Sequence, residues 1–296
     1  MKVKKIYETD PWLEPWRDAI DARHQRILDT KRKLVGERSL AEGIANHLYY
    51  GLHRDEAGDW VFREWAPSAT RIYIIGEFNN WKRTDAYALK PVGQGNWEIH
   101  LPAMMLYHGA LYKLFIEWHG GGGERLPAYV TRTVQDPVTK VFCAQVWDMP
   151  AYDWKNPRPA AVKNPFIYEC HIGMSSEEEK VSTFDEFRRN VLPRVKALGY
   201  DVLQIMALQE HPYYGSFGYQ VSNFFALSSR FGTPDEFKHL VDDAHGMGIS
   251  VIMDIVHSHS VDNEAEGLSR FDGRDDLYFY SGPQGHHPAW GSRCFD

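Results

Sequence analysis

Residues 251–260 read VIMDIVHSHS. The apolar run from Ile249 to Val256 predicts a buried strand, yet Asp254 falls inside it, and His257 and His259 come directly after it. A charged group in an apolar strand is costly unless it is paired or hydrogen-bonded. From these ten residues alone an active site, a metal pair and a capped strand end all remain open. The residues upstream decide the fold. Residues 166–169 (FIYE) and 201–208 (DVLQIMAL) are two further apolar runs that predict strands. Between these two, Thr183 and Glu186 form a capping box, and Phe187, Val191, Val195 and Leu198 then fall on one helical face until Gly199. Between the second and third runs, Thr233-Pro234-Asp235-Glu236 repeats the box with proline at the first helical position. Phe237, Leu240, Val241 and Ala244 face inward from that helix, and Gly246 and Gly248 close it. The order β-α-β-α-β with apolar strands is the signature of a parallel sheet covered by helices.

Upstream the rhythm differs. Residues 9–35 predict a short helical lead-in, with Trp12, Trp16, Ile20, His24, Ile27 and Leu28 at helical spacing. It is too short to be a domain and is expected to pack on the β-rich region after it. From residue 50 to about 147 come short β-rich runs such as WVFREWAP, RIYIIGEFNNW and ALYKLFIEW, separated by turn formers. Gly120 to Gly123, without a following Lys-Ser/Thr and opening no helix, is expected to be a turn rather than a phosphate cradle. The expected organisation is a helical segment at 1–49, a β-sandwich at 50–150, a proline-rich linker at 151–165 and an α/β domain at 166–296.

Composition narrows the function. A net charge of −7 over 296 residues argues against general nucleic-acid binding, which needs a basic face. An aromatic content of 14% is compatible with stacking on sugar rings, although aromatic residues serve the core more often. Cys143, Cys170 and Cys294 form neither a disulfide framework nor a Cys-x-x-Cys motif. The N-terminus has no apolar run of the signal-peptide kind, and no 18-residue apolar segment would span a membrane. A soluble, cytoplasmic protein without a membrane partner is expected.

In parallel α/β folds the chemistry lies at the carboxyl ends of the strands. Here those ends carry Glu169-Cys170-His171, Gln209-Glu210-His211 and Asp254 to His259. A zinc centre on His257 and His259 would need a third ligand, and no His-Glu-x-x-His or Cys-rich partner appears, so no metal is expected. The loop EHPYYGSFGYQVSNFFALSSRFGTPDEF is long and rich in Tyr and Phe. Such a loop in a compact domain is usually functional.

GSFGYQVSNFFALSSRFGTPDEF followed by VIMDIVHSHS resembles the α-amylase superfamily of glycoside hydrolases and transglycosylases. The resemblance is to the glycogen (1,4-α-glucan) branching enzymes, and to their eukaryotic-type branch most of all. REWAPSATRIYIIGEFNNW is similar to the glycogen-binding β-sandwich that precedes the catalytic barrel there. DPWLEPW, IYECHIGMSS and SGPQGHHPAWGSRCFD match as well, so the likeness covers nearly the whole chain. It implies an all-β domain followed by the first part of a (β/α)8 TIM barrel. It also implies cleavage of an α-1,4 glucan such as glycogen or an amylose-like chain, with transfer to a 6-hydroxyl. Such enzymes are retaining, with two carboxyl groups about 5–5.5 Å apart. No cofactor is implied.

By position, Tyr219 would stack under the sugar at the cleavage subsite, with Gln220 beside it. His259 would hydrogen-bond that sugar's 6-hydroxyl. Asp254 would pair with an arginine just before the nucleophile. On the sandwich, Trp81 and Lys113 match glucan-binding positions, with His53 near them. Ser258 replaces the asparagine that many amylases use to ligate calcium, so no calcium dependence is expected. From residue 165 onward the chain provides about half of the ~250 residues of such a barrel. The nucleophile, the acid/base and the third carboxylate, expected after strands four, five and seven, are not recognisable in it. The chain is therefore expected to be the N-terminal part of a branching enzyme, inactive alone and poorly soluble through an open apolar strand edge. A debranching or amylase-type hydrolase and a non-catalytic glucan-binding protein are the alternatives.

Overall fold

Two threonine-led capping boxes shape the α/β region. Thr183 Oγ1 accepts from Glu186 N while the Glu186 carboxylate reaches back to Thr183 N, and Thr233 and Glu236 do the same. Two backbone donors are thereby satisfied at each helix start, where the helix itself has no acceptor to offer. The computed structural model describes residues 5–296 and divides into two units, Met1–Tyr49 and Tyr50–Asp296.

The first unit holds α1 (Ile6–Thr9), a 3-10 turn at Pro11–Trp16, α2 (Arg17–Val35) and α3 (Leu40–Gly43). Asp10 caps the 3-10 turn by accepting from Trp12 N at 3.1 Å. Asp21 on α2 receives both Lys5 and the Tyr7 hydroxyl. Trp12, Trp16 and Ile27 of the expected apolar stripe stand exposed.

The second unit begins with two antiparallel sheets. One runs in the order β1 (Gly51–Arg54), β2 (Trp60–Trp65), β5 (Asn96–Leu101), β4 (Lys90–Gly93). The other runs β3 (Ala69–Gly76), β6 (Leu111–Trp118), β9 (Phe142–Gln145), β8 (Thr133–Gln135), with β7 (Gly121–Arg125) paired to β6. Phe62, Ile72, Ile74, Trp97, Tyr112, Leu114 and Ile116 fill the core. The glycine run expected as a turn is mostly strand. Gly120 alone turns the chain, at φ 87°, and Gly121 to Arg125 then pair with Trp118 to Leu114. Antiparallel pairing overrides the weak strand preference of glycine, and the missing side chain has a use. A Cβ on Gly121 would stand 2.9 Å from the Trp118 indole nitrogen.

The parallel sheet is β10 (Ile167–Cys170), β11 (Val202–Ile205) and β14 (Ser250–Met253), with Ile167 level with Val202 and Val202 level with Ser250. The crossover expected as one helix is two, α4 (Phe184–Asn190) and α5 (Leu192–Ala197). Pro193 has no N–H for the carbonyl four residues back and breaks the run. Leu198, expected on the inner face, is exposed. The second crossover, α6 (Pro234–Gly246), is continuous and buries Phe237, Leu240 and Ala244.

The third strand is shorter than its apolar run. It ends at Met253, and Ile252, Met253 and Ile255 are exposed while Ile249 and Val256 are buried. Asp254 is therefore a strand-end residue, half-buried, and not a carboxylate inside a buried strand.

The sandwich shares its core with the segment that follows the parallel strands: Leu268, Phe271, Leu277 and Phe279 join the same cluster as Trp97 and Ile116. Cys170, Leu203, Ile205 and Ile249 of the α/β region pack in a separate cluster with Phe184, Phe187 and Leu240. A buried polar joint adds direction. Glu210, fully buried in β12 (Gln209–Glu210), accepts from the Thr133 hydroxyl of β8 at 2.8 Å and from Ser229 N at 2.8 Å. Arg230 lies 3.7 Å from the same carboxylate, and Arg132 donates to the Gly232 carbonyl at 2.7 Å.

Candidate active site

A reversal of the chain between β12 and β13 (Asn223–Leu227) builds the site. A 3-10 turn at Tyr214–Ser216 leads into Phe217 and Gly218, both left-handed at φ 53° and 88°. Glycine meets this demand without strain, but a phenylalanine does not, at a cost of about 1–2 kcal/mol. The Phe217 ring packs edge-on against His171, with centroids 5.6 Å apart. Gly218 passes so close to the chain just beyond the second strand that a Cβ would lie 2.1 Å from the Ala207 carbonyl oxygen. Tyr219 comes next, delivered over the ends of the parallel strands.

The Tyr219 hydroxyl donates to Asp254 Oδ2 at 2.7 Å, and Asp254 N donates to the Ile205 carbonyl at 3.0 Å. Burial first, and the Asp254 hydrogen bond second, push the Tyr219 phenol up to about 12, so it remains a donor at neutral pH. The family resemblance implies an arginine partner for Asp254; in this chain its side-chain partner is a phenol.

His259 opens β15 (His259–Val261), which pairs with β17 (Ser292–Cys294), itself paired with β16 (His286–His287). Its ring is nearly buried. Nε2 faces the Tyr219 carbonyl at 2.8 Å and Nδ1 faces Ser258 Oγ at 2.9 Å. A carbonyl only accepts, so Nε2 carries the proton, and in the neutral ring Nδ1 accepts from the serine. Both nitrogens are engaged, so the expected sugar contact would have to replace one of these bonds.

Tyr219, Gln220 and His259 line a cavity of about 510 Å³ together with Ser216, Ala289 and Trp290. Gln220 Nε2 donates to the Trp290 carbonyl at 2.9 Å. Nothing in the local sequence marks Trp290 for a role, although it lies in the SGPQGHHPAWGSRCFD segment. Aromatic faces with amide, hydroxyl and imidazole edges suit a polyhydroxylated ring. His257, which the sequence equally leaves unassigned, lines a separate apolar cavity of about 550 Å³ with Tyr129, Phe224, Ile255 and Phe295. Two further strand-end histidines, His171 and His211, are buried, and burial holds both below the usual imidazole range. Among the described residues no group of three or more His, Cys, Asp or Glu is placed to hold a metal ion.

On the sandwich, Asn80 and Trp81 are both left-handed, and Asn79 Oδ1 accepts from Gly76 N to hold the turn. The Trp81 indole is 39% exposed. Lys113 is nearly buried and its Nζ pairs with Glu124 at 2.8 Å, so its charge is already met. His53, expected near these two, stands on β1 in the other sheet, with its ring nitrogen on the Tyr50 carbonyl at 2.7 Å.

Carbohydrate-binding module 48 (isoamylase N-terminal domain) matches residues 49–138, and the alpha amylase catalytic domain matches residues 190–293. A 1,4-alpha-glucan-branching enzyme of Yarrowia lipolytica is 41% identical over 99% of this chain and 44% of its own length. That of Dictyostelium discoideum is 42% identical with the same coverage, and that of Equus caballus 38% identical over 98% of this chain and 43% of its own. The chain thus spans less than half the length of these curated relatives. Among solved structures, the catalytic module of the glycogen-degrading pneumococcal virulence factor SpuA matches 90% of this chain and 43% of its own, with a TM-score of 0.66 at 19% identity. A pullulanase from Bacillus acidopullulyticus matches 83% of this chain and 34% of its own, also at 0.66, with 18% identity. At such identities these two speak for the fold alone.

Proposed function

Since the chain belongs to the 1,4-alpha-glucan-branching enzymes, we propose that it carries the glucan-binding half of a branching reaction. In the whole protein an α-1,4 glucan would be cleaved and rejoined to a 6-hydroxyl by retaining double displacement. The observation that carries this reading is the convergence of Tyr219, Gln220 and His259 on one cavity, with Asp254 tied to Tyr219 behind it.

Within that reading Tyr219 supplies the stacking face. Asp254 fixes its tilt, and His259 acts first as a positioning residue through its bond to the Tyr219 carbonyl. Gln220 orients the Trp290 wall. The nucleophile and the acid/base would come from barrel strands other than the three described here. On the sandwich, Trp81 is the residue we assign to glucan, Lys113 contributing through its pair with Glu124 and His53 lying on the other sheet. A cytoplasmic setting fits three cysteines that stand as free thiols. No helix among the described residues is long and apolar enough to cross a membrane.

Incubation of the full-length protein with amylose is the test. Branching lowers the iodine colour and creates α-1,6 linkages with few new reducing ends. Reducing ends released in step with the loss of colour would mean hydrolysis and would overturn the proposal.

A further inference from the structure

We propose that Trp290 is a second stacking platform of the cavity, holding the glucose unit next to the one that Tyr219 receives on the same α-1,4-glucan chain. This rests on the glucan reading of the pocket and extends it by one subsite.

Trp290 is 56% exposed and belongs to no core cluster, yet its ring is stacked on one face and its backbone is tied at both N and O. The His287 ring lies flat against one indole face, with centroids 4.0 Å apart and planes 13° from parallel. Trp290 N donates to His287 Nδ1 at 3.2 Å, and the Trp290 carbonyl accepts from Gln220 at 2.9 Å. The fold gains little hydrophobic burial from so exposed a side chain, so its immobilisation calls for another reason. Fixing an aromatic ring before a ligand arrives removes part of the ordering cost of binding.

The chemistry of the cavity identifies the ligand. Its lining contains no Asp, Glu, Lys or Arg, which disfavours a phosphate, a carboxylate or an amine. Aromatic faces on Tyr219 and Trp290, edged by the groups of Ser216, Gln220 and His259, match a neutral ring with apolar C–H faces and hydroxyl rims. His259 couples the two platforms: its Nε2 bonds the Tyr219 backbone and its ring centroid lies 5.2 Å from that of Trp290. Two platforms linked through one imidazole suit adjacent units of one chain.

The test is calorimetric titration of maltoheptaose into the full-length protein carrying Trp81→Ala, which silences the sandwich. In that background Trp290→Ala should weaken binding by about tenfold, or ~1.4 kcal/mol, and Trp290→Phe should restore most of it. His287→Ala, which frees the indole without removing it, should fall between. The melting temperature should stay unchanged, because the ring is outside the core. If Tyr219→Ala weakens binding and Trp290→Ala does not, the second platform is wrong and the glucan pocket stands. If the Trp81→Ala protein binds no maltoheptaose, the pocket reading fails and takes this inference with it.

Discussion

The hydroxyl of Tyr219 and the carboxylate of Asp254 meet at 2.7 Å, and that bond ties a reversing aromatic loop to the end of the third parallel strand. It fixes the angle at which the Tyr219 ring faces the cavity. Tyr219→Phe keeps the ring and removes the bond. A hydrogen bond to a charged group is worth about 1.5–3 kcal/mol, so kcat/KM for the proposed branching reaction of the full-length protein should fall ten- to hundredfold. Tyr219→Ala should fall further by losing the stacking face. Wild-type kinetics in Tyr219→Phe would mean the bond is incidental.

Gly218 is the narrowest point of the loop. Gly218→Ala would push a methyl group against the Ala207 carbonyl and hold alanine at φ 88°. Both effects displace Tyr219. The expected outcome is a loss of stability of about 1–3 kcal/mol together with markedly weaker maltoheptaose binding. Unchanged binding would show that the loop has more room than its geometry suggests.

Glu210 joins sandwich and strands. Glu210→Ala would leave the Thr133 hydroxyl and Ser229 N without their acceptor and remove the counter-charge of Arg230. Breaking a buried pair by removing one partner costs about 3–5 kcal/mol. Thr133→Val, which removes one bond, should cost about 1 kcal/mol. Equilibrium unfolding of both variants checks the ratio, and equal small losses would contradict a central role for the carboxylate.

Glu64 gives the fold a pH dependence. It is fully buried on β2, and burial pushes its carboxyl up to about 7 from 4.5, against the pull of hydrogen bonds from Trp65 N and Ala128 N. Well below 4.5 the group is neutral whether the chain is folded or not. As pH rises the unfolded chain ionises first, so this group's contribution to stability is lost through about pH 7. Between about pH 5 and 8 the melting temperature of Glu64→Gln should rise relative to wild type, whatever its starting level. A constant gap between the two would show that Glu64 ionises normally.

The parts of the fold written in local chemistry are readable from the residues. The capping boxes at Thr183 and Thr233 form as their spacing requires, and the three parallel strands stand where apolar runs alternate with helices. Sequence and structure part where a distant partner decides. The glycine run becomes strand because β6 pairs with it, which composition alone does not register. Pro193 is visible in the sequence, but the apolar spacing around it favours one continuous helix, and the proline splits it. Apolar neighbours make Asp254 look buried, whereas the strand stops one residue before it. Within the site, Trp290 comes from a segment about 30 residues beyond His259. Only the pairing of β15 with β17 brings that segment to the cavity. Local spacing gives no warning of such a return.

The core that the sandwich shares with residues 268–279, together with the Thr133–Glu210 bond, makes the second unit a caliper rather than a hook on a tether. Leu268 and Phe279 are packed into the same cluster as Trp97, and Thr133 is locked to Glu210. A glucan anchored on the sandwich would therefore reach the cavity at a span fixed by side-chain packing. The length of sugar chain lying between the two points is then a property of the fold, independent of the slack in any connecting segment.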